Sequence, residues 1–241
     1  HFWAPDAYDG APISVAAYLS VITKVAAIFA FAQVLRDLPI DSSWPLVIAM
    51  IAAVTMTYGY LAAVVQTNMV RLIAYSSVAQ SGYFLLGIVA LGVSPLALPS
   101  LIVMGAAYVA MNLGAFGIVL LVGRHLDDFR GFGRQHPLAG VAMVVFLLSL
   151  AGIPPLFGFV GKVYLFGAAI EAGYLWLALI GIANSVLGLG VYLRIMVPMY
   201  QAPPESDEGS VDPPSAALIA VIAVAAIVTL GMGLFAGYLP S

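Results

Sequence analysis

The stretch Leu148-Ser-Leu-Ala-Gly-Ile-Pro-Pro-Leu-Phe-Gly-Phe-Val-Gly-Lys162 decides the fold of this chain. It lies inside the apolar segment 138–170, which as one straight helix would be about 50 Å long and so exceed the roughly 30 Å hydrocarbon core of a bilayer. The pair Pro154-Pro155 predicts a break, because proline removes backbone donors and clashes with the preceding turn. Non-helical backbone survives at membrane depth only where protein or a wet cavity surrounds it. Lys162 follows the break, and an intramembrane lysine indicates a functional site.

The composition is typical of a helical membrane protein. The 241 residues are 63% hydrophobic and 8% charged, with a mean hydropathy of +1.08, whereas soluble domains are about 25% charged. The apolar runs are continuous over about 20 residues or more, which favours helices over the alternating strands of a barrel. The lack of cysteine excludes disulfides, haem thioethers and cysteine-ligated iron–sulfur clusters on this chain. The net charge of −3 is spread over loops and does not indicate nucleic-acid binding.

Hydropathy predicts an all-α polytopic membrane protein with about seven transmembrane helices, one of them broken at Pro154-Pro155. The predicted spans are 12–35, 45–66, 71–92, 96–122, 138–170, 173–199 and 214–238. Residues 1–11, which include Pro5 and Gly10, are expected to form a loop that follows an earlier part of the protein. Residues 201–213 are expected to form an acidic, proline-rich surface loop.

Arginine placement predicts the orientation of these spans. Five arginines fall near loops on one side of the predicted bundle: Arg71, Arg124, Arg130, Arg134 and Arg194. Only Arg36 falls on the other side. The positive-inside rule places the side with more arginines in the cytoplasm, which leaves the C-terminus outside.

The two lysines of the chain, Lys24 and Lys162, both lie within apolar spans. Lys24 is about halfway along its helix, about 18 Å from Pro12 at the helical rise. A lysine removed from water is a candidate proton carrier, since loss of hydration disfavours its charged form. The alternative is an ammonium paired permanently with a buried carboxylate. Because no carboxylate of this chain is predicted at mid-membrane depth, such a partner would come from residues outside this sequence.

Many polar side chains accompany the lysines within the spans. They are Ser14, Ser20, Thr23, Thr55, Thr57, Tyr58, Tyr60, Tyr75, Ser76, Ser77, Gln80, Ser81, Tyr83, Tyr108, Asn112, Ser149, Asn184, Ser185 and Tyr192. Such groups can hold water chains between titratable groups, but any single one is more often a hydrogen-bonding contact between packed helices. Tyr75 and Ser76 are the stronger candidates, as they lie between the lysines in sequence order. Glu171 is interpreted as an exposed charge at a helix end, with a place near a proton exit as the alternative.

Three segments resemble one known family. The segment His1-Phe-Trp-Ala-Pro-Asp-Ala-Tyr-Asp-Gly-Ala-Pro12 resembles the H-x-W-x-P-D-x-Y-x-G-A-P pattern of the subunit N family of NADH–quinone oxidoreductase, respiratory complex I. Gln66-Thr-Asn-Met-Val-Arg-Leu-Ile-Ala-Tyr-Ser-Ser77 is similar to its Q-T-N-x-K-R-L-x-A-Y-S-S pattern, and the segment 148–166 is similar to its L-S-L-A-G-I-P-P pattern with the lysine that follows. The resemblance covers nearly the whole chain.

The resemblance implies half of an inverted-repeat, antiporter-like fold. Residues 1–36 would be a loop and the last helix of the first repeat, 37–200 the second five-helix repeat, 201–213 the acidic loop and 214–241 the C-terminal transmembrane helix. It also implies proton translocation coupled to quinone reduction, with Lys24 as the central relay, Lys162 as the terminal donor, and Tyr75 and His1 in the connecting water network.

The same resemblance implies where the rest of the machinery lies. This chain would carry no cofactor, and NADH, flavin, iron–sulfur clusters and quinone would belong to other subunits. Its partners would be the antiporter-like M-type subunit, the small K- and J-type subunits and lipids, in the bacterial inner membrane, with no nucleic acid.

Two positions depart from the family pattern. Val70 stands where lysine is usual, and Gln80 where histidine is common. Because Gln80 cannot titrate, a proton path through it would run by water, or by Tyr75 and Tyr83. Two other functions stay open: a cation/proton antiporter subunit of the Mrp type, and a structural membrane-arm subunit that does not pump.

Overall fold

A computed structural model of the chain describes residues 3–36, 43–202 and 214–235. In these ranges every extended regular element is a helix, and Asn68 and His125 form an isolated β-bridge. The longer helices are α1 (Ala4–Gly10), α2 (Ile13–Tyr18), α3 (Lys24–Leu35), α4 (Trp44–Val64), α5 (Met69–Val89), α6 (Ala97–Val122), α8 (Pro137–Ala151), α9 (Phe157–Glu171), α10 (Leu175–Met199) and α11 (Ala216–Phe235). A 3₁₀ turn (Leu126–Phe129) and the short helix α7 (Phe132–Gln135) connect α6 to α8.

The prediction of an all-α polytopic membrane protein is confirmed. Six helical segments of the described residues are long and apolar enough to cross a membrane, and the first of them, Ile13–Leu35, joins α2 and α3 through a π-helical turn. The expected broken span is present as α8 and α9, which are separated by residues 152–156. Gly152 ends α8 with φ +88°, a left-handed conformation that glycine adopts without strain.

The expectation of a loop over residues 1–11 was wrong for most of that segment. Residues Ala4–Gly10 form α1, because Pro5 lies in the first helical turn, where its missing N–H is not needed. Asp6 also lies in the first turn, where the positive end of the helix dipole favours an acidic side chain. Helix α1 packs on α5. Its Tyr8 side chain is buried, and the Tyr8 ring meets the ring of Phe116 on α6 edge-on.

Helix α5 lies at the centre of the described bundle. It is the most deeply buried of the candidate spans and packs most closely along α4. Glycine makes this approach possible, since a Cβ at Gly59 would lie 2.6 Å from the backbone N of Ala79, and a Cβ at Gly82 would lie 2.8 Å from the backbone N of Met56. Polar side chains on α5 are therefore held inside the protein, away from the bilayer.

The arginines that were predicted on one side of the bundle gather at one end of it. Arg71 pairs with Asp6 at 2.9 Å, and Arg124 donates to the backbone O of Asp9 and of Ala11, each at 2.6 Å. At the same end, Arg194 binds the backbone O of Val64 and of Gln66, Arg130 binds that of Ala202, and Arg134 binds that of Tyr200. These bonds tie α1 to α5 and to the loop after α6, and they tie α10 to the end of α4 and to the segment that contains α7.

Candidate functional site

Lys24 follows a π-helical turn, Leu19–Thr23, in the middle of the first span. Single π-turns inside helices occur frequently at functional sites. The Lys24 ammonium donates to the backbone O and to the Oγ of Ser77 on α5. The hydroxyl of Tyr108 on α6 lies 3.4 Å from Lys24 Nζ and 2.7 Å from Ser77 Oγ. Three helices therefore meet at this lysine through neutral polar groups.

The hydrogen bonds around Lys24 continue into the π-helical turn. The Tyr108 hydroxyl donates to the backbone O of Ser20 at 3.2 Å, and Asn112 Nδ2 donates to Ser20 Oγ at 2.7 Å. Tyr108 and Asn112 are four residues apart, so they lie on the same face of α6. The local sequence thus directs two polar side chains of α6 toward the turn that precedes the lysine.

A cavity of about 250 Å³ opens beside Lys24. Its wall includes Tyr8, Thr23, Val78 and Ser81 in addition to the lysine. Lys24 is half-buried and forms part of the cavity wall. The volume is enough for several water molecules, and the hydroxyl groups of the wall can bind them.

Lys162 lies on α9, directly after the break, and is 2% exposed. Its ammonium donates to the backbone O of Ala151 at 2.9 Å and to Ser185 Oγ at 3.1 Å. The Tyr83 ring lies beside it, with its centroid 4.2 Å from Nζ. Because Ala151 is in the last turn of α8, its carbonyl has no partner within the helix and carries the negative end of the helix dipole. The break therefore creates the acceptor that the lysine uses.

A row of polar side chains on α5 leads to the Lys162 site. Ser76, Gln80 and Tyr83 recur at the spacing of one helix face. Ser76 Oγ lies 2.5 Å from the Tyr192 hydroxyl, and Gln80 Nε2 donates to the Tyr60 hydroxyl at 3.1 Å. The rings of Tyr83 and Tyr192 each meet the ring of Tyr60 edge-on, with centroids 6.5 and 6.3 Å away from it.

Tyr83 connects this row to Lys162. Its hydroxyl lies 2.9 Å from Ser185 Oγ, which is itself a partner of the lysine, and it donates to the backbone O of Gly181 at 2.9 Å. Since α5 supplies both Ser77 and Tyr83, one helix contacts both lysines, and these two residues are separated by about 9 Å of helical rise. The hydroxyl groups of Tyr83 and Ser185 both donate and accept, so they can pass a proton in either direction.

The structure brings Lys162 to one end of this row, whereas Lys24 contacts α5 at Ser77, the neighbour of Ser76 in sequence. It places the other predicted relay residues elsewhere. The Tyr75 ring meets that of Tyr58, with centroids 6.3 Å apart, and within the described ranges it is not hydrogen-bonded to either lysine. His1 lies outside the described residues. Glu171 is exposed at the end of α9 and accepts from Ser94 Oγ at 2.5 Å. The roles of Tyr75 and His1 stay predictions.

The sequence analysis listed Ser77, Tyr108 and Ser185 among many polar residues without singling them out, and it named Tyr83 only as part of a path around Gln80. Helical spacing does place Ser76, Gln80 and Tyr83 on one face of α5. What the spacing cannot give is the partner across the interface, because that depends on how each helix is rotated in the bundle. The acceptor at Ala151 is a backbone group and leaves no trace in the sequence.

Comparison with known proteins places this geometry in a family. The family described as "NADH:quinone oxidoreductase/Mrp antiporter, TM" matches residues 1–188. NADH-quinone oxidoreductase subunit N 1 of Solibacter usitatus is 38% identical over 98% of this chain and 50% of its own length. Its counterpart from Herpetosiphon aurantiacus is 40% identical over 97% of this chain and 49% of its own length. The chain thus spans about half the length of the curated relatives that it matches.

Solved structures share the fold. A chain of respiratory complex I from Thermus thermophilus is 32% identical, with a TM-score of 0.85 over 98% of this chain and 53% of that one. A chain of the Mrp complex from Dietzia sp. is 25% identical, with a TM-score of 0.86 over 99% of this chain and 53% of that one. The helices, the break, the sequence similarity and the shared fold agree, and this multi-pass membrane chain belongs to the NADH:quinone oxidoreductase/Mrp antiporter transmembrane family.

Proposed function

We propose that this chain is part of a proton-translocating membrane subunit of an NADH–quinone oxidoreductase, in which Lys24 and Lys162 exchange protons through the polar row on α5. One observation carries the proposal: two lysines within apolar helices both contact polar side chains of the buried helix α5, Lys24 at Ser77 and Lys162 at Tyr83. Intramembrane ionisable groups that face a bundle interior are characteristic of proton relays.

The partners of the two lysines support a relay over a permanent ion pair. Lys24 binds Ser77 and Tyr108, and Lys162 binds Ala151 O and Ser185, all of which are neutral. At the arginine-rich end of the bundle, by contrast, Arg71 and Arg124 form ion pairs with Asp6 and Asp9. An amine held by neutral acceptors can release its proton without leaving a buried carboxylate unpaired.

In this proposal Lys24 is the central relay and Lys162 the terminal donor. The cavity beside Lys24 supplies water contact on one side, and Tyr83 and Ser185 connect α5 to Lys162 on the other. Coupling between the two is electrostatic, because a positive charge on one lysine disfavours a positive charge on the next. Protons therefore move through the row in steps.

The redox chemistry belongs to other subunits in this proposal. NADH, flavin, iron–sulfur clusters and quinone would be bound outside this chain, whose own contribution is proton movement. Its neighbours would be an M-type antiporter-like subunit and the small K- and J-type subunits, together with lipids of the bacterial inner membrane. The similarity to a chain of complex I from Thermus thermophilus supports this assignment.

A second function is cation/proton exchange in an Mrp-type complex, and the fold shared with the Dietzia chain favours it. It predicts ion exchange without quinone-linked activity. A structural membrane-arm subunit that does not pump is the third possibility. It predicts that both lysines can be replaced with the proton yield intact.

The deciding experiment uses the full-length subunit in the assembled complex, reconstituted in liposomes. Lys24→Ala, Lys162→Ala and Lys162→Arg are compared with Ile22→Ala and Val163→Ala, which alter exposed apolar side chains beside each lysine. NADH-driven quinone reduction and proton uptake are recorded on the same preparation. Lys162→Arg keeps a positive charge but cannot release a proton, so it separates charge from proton transfer.

The expected result is loss of proton uptake in all three lysine variants, with the two control variants unchanged. Unchanged proton uptake per NADH in both alanine variants would exclude the relay and favour the structural subunit. Sodium-dependent proton exchange without quinone reduction, in a complex that lacks redox subunits, would favour the Mrp-type function.

A further inference from the structure

The terminal helix α11 lies across both halves of the broken helix. It packs on α6, α8 and α9, and its buried residues form one stripe: Ile222, Ala225, Thr229 and Gly233. Most of its remaining residues are exposed, and Leu218, Ala226 and Val228 are partly buried against the described bundle. Its Gly233 end packs against the residues that connect α8 to α9.

Gly233 is the closest approach between α11 and the break. A Cβ at this position would overlap the backbone O of Pro155 and would lie 2.7 Å from the Cα of Leu156. Real side chains do not tolerate such contacts, and both neighbours are backbone atoms that cannot rotate away. Gly231 lies two residues earlier on the same helix, and a Cβ at this position would meet nothing within 4 Å. The chain therefore requires glycine at 233 for packing but not at 231.

A second contact of α11 lies at the first turn of α9. Val228 packs against a small apolar cluster of Ala107, Phe157 and Val160, which is separate from the main core. Phe157 and Val160 are the residues with which α9 begins, and Lys162 follows within the next turn. The same helix thus contacts the break through Gly233 and the start of α9 through Val228.

Lys162 is sensitive to the position of both halves of the break. Its ammonium binds Ala151 O at the end of α8 and Ser185 on α10, while its own Cα belongs to α9. Its Cδ atom would lie 2.7 Å from a Cβ at Gly152. A shift of α9 relative to α8 would therefore change the distance from Nζ to Ala151 O directly.

We propose that Gly233 and Val228 of α11 are positioning residues. Their packing against the break and the first turn of α9 fixes α9 relative to α8 and so keeps the Lys162 ammonium between Ala151 O and Ser185 Oγ. This inference rests on the proposed function, because it assigns α11 to the setting of one relay lysine. Helix α11 has no ionisable residue among those described and takes no part in proton transfer itself. Its effect is exerted through the packing of residues 152–160.

The test uses the full subunit in the assembled complex in liposomes. Gly233→Ala is compared with Gly231→Ala, the matched control on the same helix, and with Lys162→Ala, which tests the proposed function alone. Val228→Ala is the second variant, since it removes atoms instead of adding them and remains informative if Gly233→Ala fails to assemble. Proton uptake per NADH is measured as a function of pH, and hydrogen–deuterium exchange is followed in the peptide that contains residues 152–158.

We expect Gly233→Ala and Val228→Ala to assemble, to lose half or more of the proton yield, and to shift the pH at which proton uptake is half-maximal. Exchange in residues 152–158 should rise, whereas Gly231→Ala should match the unmodified complex. A yield, pH profile and exchange equal to those of Gly231→Ala would overturn the inference, as would a uniform loss at every pH without faster exchange. If Lys162→Ala keeps its full yield, the proposed function fails, so the two failures are distinguishable.

Discussion

Lys162 shows how neutral groups can hold a buried ammonium, since each of its partners among the described residues is uncharged. Lysine has three protons to donate, and here they meet a helix-end carbonyl, a serine hydroxyl and an aromatic face. Attraction to the ring of Tyr83 contributes on the order of 2 kcal/mol when the cation is desolvated. Each partner also tolerates a neutral amine, which a buried carboxylate would not. The site is therefore suited to a lysine that changes its charge.

Ser77 is the residue at which the relay around Lys24 can be tested most directly. Ser77→Ala removes one of the acceptors of the Lys24 ammonium and the 2.7 Å contact with Tyr108. A hydrogen bond to a charged group contributes roughly 1.5–3 kcal/mol. If it is lost in the rate-limiting step, proton uptake should slow by about tenfold or more. The measurement is the initial rate of NADH-driven proton uptake in liposomes.

Ser100→Ala is the control for this prediction. Ser100 is also buried, but its Oγ donates to the backbone O of Ala97 within its own helix. Its removal should leave proton uptake unchanged. Equal rates in the Ser77 and Ser100 variants would contradict a role for Ser77 in the relay.

Gln80, which stands where histidine is common in the family, has a structural role in the row on α5. Its Nε2 donates to the hydroxyl of Tyr60 and to the backbone O of Leu150, close to the end of α8. A side-chain amide cannot carry a proton as histidine does, but it fixes the orientation of Tyr60. In this protein the middle of the row is therefore held by an amide and three tyrosines instead of an imidazole.

At the element scale, the break between α8 and α9 is held by close backbone contacts. The backbone N–H of Gly158 donates to Ser149 Oγ at 3.0 Å, and a Cβ at Gly158 would overlap the backbone O of Ser149. Gly158→Ala should push α9 away from α8 and lower the free energy of unfolding by about 1–3 kcal/mol, as overpacking does. The melting temperature of the purified complex in detergent measures this loss.

Gly167→Ala provides the comparison on the same helix. A Cβ at Gly167 would meet Leu96 Cδ1 at 3.4 Å, an ordinary van der Waals contact. Since alanine also favours the helix by up to about 1 kcal/mol over glycine, this variant should be as stable as the original or slightly more so. Identical melting of the Gly158 and Gly167 variants would show that the break is loosely packed.

At the scale of the whole molecule, charge and hydropathy together predict how the bundle is inserted. The arginine-rich end includes the loop at His136, and the opposite end includes the loop at Val93. The positive-inside rule places the first of these in the cytoplasm. The chain has no cysteine, so His136→Cys and Val93→Cys can each be labelled without interference from this sequence.

An impermeant maleimide added outside intact cells should therefore label Val93→Cys and spare His136→Cys. Both side chains are exposed, so access to the reagent differs only by membrane side. Labelling after the membrane is opened should reach both positions equally. The reverse pattern in intact cells would show that the arginine-rich end lies outside.

The class of fold follows from the sequence. Helix length in a bilayer is set by its thickness, and apolar runs of that length can be counted without a structure. The break was predictable for the same reason, because Pro154-Pro155 interrupts a segment too long for one crossing. Lys24 and Lys162 were found because charge inside an apolar run is costly.

The tertiary structure alone decided which groups those lysines meet. Ser77 lies 53 residues from Lys24, and Ser185 lies 23 residues from Lys162, so neither contact follows from local spacing. Adjacent residues Tyr75 and Ser76 point to different neighbours, Tyr58 and Tyr192, because successive side chains of a helix lie about 100° apart. The face of a helix that turns inward depends on its packing against every neighbouring helix. It therefore cannot be read from the sequence of that helix alone.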